Sequence, residues 1–382
     1  MKKKTRAIII TSSSLALALA LALLCAFPLR AQTMSFLSVF DFSNGAQQPN
    51  CIPETRSYKG EVTDKYGVWP TEAFEQGKKP WWIAPKLLRL RTEIRKDDDL
   101  LDSFLILYKG KLVYEEYYNG AYDGNTPHEV HSVTKGIVSA LVGIAIGEGF
   151  LGGVGDKVLD YFPEAVGMPG WEESKRDMTI EHLLTMTSGI WDYCEDEEAQ
   201  DAALRSFLLP QACAPGTQWK YGGSGPDILV GIIERATGQS LLTFAHEKLF
   251  DPLGIASVEW ETWPSGAPIG GWGIWITPRD MARFGYLYLN YGRWEDRQII
   301  PADYVLRSKS RSMAPQGYGY LLTNNKAWPF TGSYESGGAA SQSITIWPHK
   351  NMVLVFTGSG IDELGIEEPV STWQVIKEIY GK

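Results

Sequence analysis

Ser132 and Lys135 stand three residues apart at the head of a long apolar run that continues to Ile146. The stretch from Ser132 to Glu148, closed by Gly149, reads as a buried helix. Residues three apart share one helical face, so the hydroxyl of Ser132 and the amine of Lys135 point into the same space. A serine hydroxyl is a poor nucleophile at neutral pH and needs an adjacent base. A lysine serves as that base where burial disfavours its charged form. The motif is weak on its own, since a chain of this length shows roughly one S-x-x-K by chance. The ordinary alternative is a serine N-cap on a core helix with a lysine reaching for solvent. Against it stands the apolar circumference: Ile137, Val138, Leu141, Val142 and Ile144 leave no polar face to carry an idle lysine.

Two further segments have the residue types to complete such a site. Trp219-Lys220-Tyr221-Gly222-Gly223-Ser224 sets a tyrosine in a glycine-rich loop, where its hydroxyl can shuttle a proton. The alternative there is a core tyrosine. Ser336-Gly337-Gly338-Ala339-Ala340-Ser341-Gln342 is a run of small residues before an apolar strand. Small residues let a substrate carbonyl approach the strand edge. A backbone N–H from that edge, paired with the N–H of Ser132, makes an oxyanion hole. A plain turn or bulge is the alternative reading.

The elements that position these residues follow from the pattern of the chain. Ser103 to Tyr118 reads as a β-hairpin turning at Lys109-Gly110. Helical pieces occupy the middle: one starts at Thr179, one runs from Asp227 to Thr237 and ends at Gly238, and one runs from Pro278 to about Asn290. Strands return at Ser343–Trp347 and Met352–Phe356 around a Pro348–Asn351 turn, and a last helix is expected near Ser371–Tyr380. Strands at both chain ends with helices between them predict an α+β fold. Its sheet is mainly antiparallel and built from both ends, with an all-helical lobe inserted.

The composition is that of an ordinary globular chain: 382 residues, 44% hydrophobic, 21% charged, net charge −9. No long basic run occurs beyond the N-terminus, so nucleic acid is not an expected partner. Residues 1–31 read as a signal peptide or membrane anchor: Lys2, Lys3, Lys4 and Arg6 precede an apolar stretch, residues 7–27, and Ala31 offers a small residue for cleavage. That stretch approaches membrane-spanning length, so inner-membrane attachment is the alternative to cleavage. Either way the body of the protein is expected to be periplasmic or secreted. Residues 32–85 read as an extended segment laid over the main domain, residues 86–382. Cys194 and Cys213 either pair or stay as free thiols, with Cys51 odd. No cysteine or histidine spacing suggests a metal site, and no cofactor is expected.

Five ordered segments resemble the serine hydrolases of the class C β-lactamase type, which include penicillin-binding D,D-peptidases, esterases and 6-aminohexanoate-dimer hydrolases. They are HSVTK ending at Lys135, TIEHLLTMTSG from Thr179 to Gly189, PGTQWKY from Pro215 to Tyr221, LVGIIERATG from Leu229 to Gly238, and GWGIWITPRDMARF from Gly271 to Phe284. The resemblance implies that Ser132 is the nucleophile, Lys135 its basic partner and Tyr221 the proton shuttle. It also places Tyr193 at a cleft wall that touches the scissile amide. Two departures stand out. Gly223 replaces the usual Asn of the second motif. Ala339-Ala340-Ser341, the nearest register to the third motif, carries no cation and would supply its backbone N–H at Ser341. Both missing groups hold β-lactams in the family. The expected substrates are therefore small carboxylic esters or linear amides, with β-lactamase or D,D-peptidase activity as the alternative. A catalytically impaired binding protein of the same fold is the alternative from another class. An α/β-hydrolase is not supported, because no G-x-S-x-G elbow occurs.

Overall fold

The structure is a computed structural model, and it describes residues 69–88, 101–118, 120, 122–191, 200–222, 224–309, 317–324 and 332–359. The expected helix near Ser371–Tyr380 and the N-terminal signal lie outside the described residues.

Among the described residues the strands are β1 (Ser103–Tyr108), β2 (Lys111–Tyr117), β3 (His128–Glu129), β4 (Glu259–Trp260), β5 (Ile274–Ile276), β6 (Arg293–Trp294), β7 (Arg297–Gln298), β8 (Thr323–Asn324), β9 (Tyr334–Gly337), β10 (Ser343–Trp347) and β11 (Met352–Thr357). The main sheet runs β2-β1-β11-β10-β9-β8, with every pairing antiparallel. It is assembled from both chain ends, because the last strand pairs with the first: Ser103 faces Thr357 and Tyr108 faces Met352.

Both faces of this sheet are covered, which explains why its strands read as continuous apolar runs rather than alternating ones. Leu105, Leu107, Val353 and Val355 enter the large core under the helices. Phe104, Ile106, Leu354 and Phe356 point the other way and meet Ile83 of the N-terminal segment and Leu87 just after it. Phe104 and Phe356, register partners, stack with centroids 4.3 Å apart. The described part of that segment thus lies across the sheet. Its Pro70 carbonyl also accepts from Arg283 Nε at 2.8 Å.

Helices fill the middle: α1 (Val133–Gly147), α2 (Ile180–Leu184), α3 (Ala202–Phe207), α4 (Ser224–Thr237), α5 (Leu241–Ala245), α6 (Pro278–Leu289) and α7 (Ala302–Ser308). The starts follow local chemistry. Thr179 caps α2 by accepting the His182 N–H while His182 Nδ1 accepts the Thr179 N–H, a capping box with histidine as its third residue. Thr277 caps α6, with Pro278 at the first helical position. The middle is not purely helical. It also holds the small antiparallel sheet β3-β5-β4 and the β6-β7 hairpin. These strands are only two or three residues long, too short to register as a period in the sequence.

Every residue of α1 from Val133 to Ala145 is buried. It can sit centrally because glycines let its neighbours approach. A Cβ on Gly143 would meet the Tyr304 ring at 2.6 Å, and one on Gly136 would meet Ser336 Oγ of β9 at 2.3 Å. Ser336 Oγ donates to the Val133 carbonyl at 3.2 Å, so β9 is fastened to the first turn of α1. Gly136→Val should therefore lower stability by about 1–3 kcal/mol through overpacking. The expected reading is a lower denaturant midpoint at unchanged m value. An unchanged midpoint would mean that α1 and β9 do not touch.

Candidate active site

The approach to α1 sets Ser132 in place. β3 pairs with β5, the Val130 N–H donates to Ile274 O at 2.8 Å, and the chain then turns sharply at His131, whose φ is 47°. A left-handed histidine costs about 1–2 kcal/mol. Its Nδ1 lies 2.7 Å from Glu129 Oε2, which fixes the turn. Ser132 follows as the N-terminal flanking residue of α1, and its side chain makes no cap hydrogen bond. The ordinary capping role is therefore not what holds this hydroxyl.

Instead Lys135 holds it. Lys135 Nζ lies 2.9 Å from Ser132 Oγ and 2.8 Å from the Gly271 carbonyl oxygen, with the lysine only 3% exposed. The same nitrogen sits 5.0 Å from the centroid of the Tyr221 ring. Tyr221 is braced in turn by Tyr318, whose ring meets it edge-on at 6.3 Å. So the structure gathers Ser132, Lys135 and Tyr221 from α1 and the loop before α4. Tyr193 and Gly223 lie outside the described residues.

The small-residue segment is arranged differently from its expected register. Ala340 and Ser341 both have left-handed φ, 53° and 60°, and the Gln342 N–H donates to Ala339 O at 3.3 Å. Ala339 to Gln342 are thus the tight turn between β9 and β10, the pattern of a type I′ hairpin built without glycine at its centre. The residue that abuts Ser132 is Gly338. A Cβ there would lie 2.4 Å from Val130 O and 3.1 Å from the Ser132 nitrogen. Two left-handed non-glycine residues in succession are rare, and this is why the turn is not apparent from the sequence.

Two groups that the sequence did not single out complete the surroundings. One is Gly271, the acceptor for Lys135. The other is Asp227 in the first turn of α4, whose Oδ1 accepts the Gly270 N–H at 2.8 Å and Trp263 Nε1–H at 3.4 Å. Burial pushes the Asp227 carboxyl up to about 6, against the downward pull of those two donors and of the Lys135 charge. A backbone carbonyl leaves no trace in residue type. Asp227 shows only as an acidic residue at a helix start. Behind α4 lies a cavity of about 540 Å³, lined among others by Asp227, Glu234 and Trp263, but not by Ser132, Lys135 or Tyr221. Among the described residues no cluster of His, Cys, Asp and Glu could hold a metal ion, and Cys213 carries a free thiol.

A family model for β-lactamase matches residues 98–361. The chain belongs to the β-lactamase family. The relatives it matches carry several activities, among them hydrolases, acyltransferases and a penicillin-binding protein. A 6-aminohexanoate-dimer hydrolase of Paenarthrobacter ureafaciens is 26% identical over 302 residues, covering 71% of this chain and 75% of that protein. A lovastatin esterase of Penicillium rubens is 34% identical over a shorter stretch of 94 residues, 21% of this chain and 23% of that protein. Among solved structures, a β-lactamase-like protein of Bacteroides dorei superposes with a TM-score of 0.65 at 20% identity, covering 78% of this chain and 97% of that one. That last similarity shows the fold, in agreement with the α+β architecture read from the chain.

Within this β-lactamase family member, Gly338→Val should separate site damage from global damage. The added side chain must displace the Val130–Ser132 backbone. The expected result is a loss of turnover of a hundredfold or so, about 3 kcal/mol in the barrier. Near wild-type turnover in a folded Gly338→Val protein would place the end of β9 away from Ser132.

Proposed function

We propose that this protein is an exported serine hydrolase that cleaves small carboxylic esters or linear amides through an acyl-enzyme on Ser132. The observation that carries the reading is the 2.9 Å contact between Lys135 Nζ and a Ser132 hydroxyl that does not cap its helix. The Lys135–Tyr221 pair takes up the Ser132 proton as Oγ attacks the substrate carbonyl carbon. The oxygen of the tetrahedral intermediate is received by backbone N–H groups. We assign these to Ser132 and to Ala339, which directly follows the Gly338 that meets the Ser132 nitrogen. Neither N–H donates to an acceptor among the described residues. Tyr221 relays the proton to the leaving oxygen or nitrogen. A water molecule, deprotonated by the same pair, then attacks the acyl carbonyl and returns Ser132.

The substrate class is supported by what the site lacks. The end of β9 and the residue after it, Ser336-Gly337-Gly338, offer no cation to grip the carboxylate of a β-lactam. Relatives that hydrolyse a linear amide dimer or a statin ester have names consistent with this class. Export is supported by the basic and apolar pattern of residues 1–31, with membrane attachment through residues 7–27 as the alternative.

A hydrolysis panel tests the reading: p-nitrophenyl esters of graded chain length, 6-aminohexanoate dimer, a D-Ala-D-Ala peptide and a chromogenic cephalosporin. Short esters or the linear amide should exceed the cephalosporin by a hundredfold or more, since two lost charge-assisted contacts are each worth about 1.5–3 kcal/mol. Comparable cephalosporin turnover would refute the substrate class. In the same panel Tyr221→Phe should lose about 10²–10⁴-fold on the amide and less on the activated ester, whose leaving group needs no proton. Equal, full activity on both would remove Tyr221 from the chemistry.

A further inference from the structure

Lys135 is held from two sides, and only one of them is the serine. The other is the Gly271 carbonyl at 2.8 Å, on the loop that leads into β5. That loop has no regular structure before Ile274, so something must fix the direction of its peptide groups. The contacts along it are specific. Trp260 Nε1 donates to Ile269 O at 2.9 Å, the Gly270 N–H donates to Asp227 Oδ1 at 2.8 Å, and the Gly273 N–H donates to Glu129 Oε1 at 3.3 Å. Asp227 grips the residue directly before the lysine's acceptor. A Cβ on Gly270 would lie 2.4–2.8 Å from the backbone of Pro226 and Asp227, so the loop lies flush on the first turn of α4.

We infer that Asp227 is a positioning residue for the nucleophile pair: by clamping the Gly270 N–H it aims the Gly271 carbonyl at Lys135 Nζ and so keeps the amine within reach of Ser132. The inference rests on the Ser132–Lys135 reading above. Its physical basis is the conformational freedom of a glycine pair, which holds one direction only when it is anchored close by. One peptide separates the unit carrying the Gly270 N–H from the unit carrying the Gly271 C=O, and the φ and ψ of the two glycines between them are free unless contacts fix them. Releasing one end lets the acceptor rotate away from the lysine. Asp227 is 3% exposed, and Oδ1 alone takes both donors.

The test is a double-mutant cycle on Asp227 and Lys135, read by the rate of fluorophosphonate labelling of Ser132 and by kcat and KM on an activated ester. Active sites are titrated, and melting temperatures recorded, for each variant. Asp227→Ala should lower the labelling rate and kcat tenfold or more per titrated site, with KM within about twofold. In a Lys135→Ala background the same change should cost less than twofold, because residues that act as one unit are not additive. Asp227→Asn keeps an oxygen at the same place and should stay within about threefold of wild type. Additive losses in the cycle, or Asp227→Asn as damaged as Asp227→Ala while folded, would overturn the clamp. If Asp227→Ala does not fold, Asp227→Ser, whose hydroxyl is too short to reach Gly270, enters the same cycle with the same expectations. Lys135→Ala at wild-type rate would instead strike the functional reading itself.

Discussion

A buried amine between a hydroxyl and a carbonyl is the constraint on which the rest of this structure depends. Removing a lysine head group from water is costly unless it finds hydrogen-bond partners. Lys135 finds two, Ser132 Oγ and Gly271 O. Neither is on a regular element. Ser132 precedes α1, and Gly271 precedes β5. The fold must therefore bring two irregular backbones to within a few ångströms and keep them there. The small sheet β3-β5-β4 does this: it ties the chain before Ser132 to the chain after Gly271 through the Glu129–Trp275 register pair and the Val130–Ile274 hydrogen bond.

Close approach is the second requirement, and glycine meets it. Gly136 admits Ser336, Gly338 admits the Val130–Ser132 backbone, and Gly270 admits the start of α4. These contacts bring the end of β9 against the chain at Ser132 and the loop before β5 against α4. The cost is local strain at His131, Ala340 and Ser341, all left-handed without being glycine. Strain of this kind persists only where surrounding contacts hold it, and it clusters where backbone direction matters for chemistry.

Much of the fold was legible in the chain. The β1-β2 hairpin, the β10-β11 hairpin and α1 have long, strongly patterned signals, and they lie where periodicity and turn residues predict. α4 begins at Ser224 rather than Asp227, because Ser224-Gly-Pro gives a weak helical signal although proline is tolerated in a first turn. β3, β4 and β5 are too short to read. In the site, the side chains of Ser132, Lys135 and Tyr221 were visible as residue types at a meaningful spacing. What the sequence could not show is carried by backbone: the Gly271 carbonyl, the edge at Gly338, and the turn that moves Ala339–Ser341 off the strand. Asp227 was visible as a residue but not as a partner, since its contact to Gly270 spans 43 residues.

The central claim is that Lys135 makes Ser132 a nucleophile. The most direct measurement is intact-protein and peptide mass spectrometry of samples quenched during turnover of a slow-deacylating ester. The account predicts one acyl adduct on the peptide carrying Ser132. The adduct should be absent in Ser132→Ala. In Lys135→Ala it should form on the order of a thousandfold more slowly, since one member of a coupled nucleophile unit is gone. An acyl adduct on another residue, or its formation at the wild-type rate without Lys135, would contradict it.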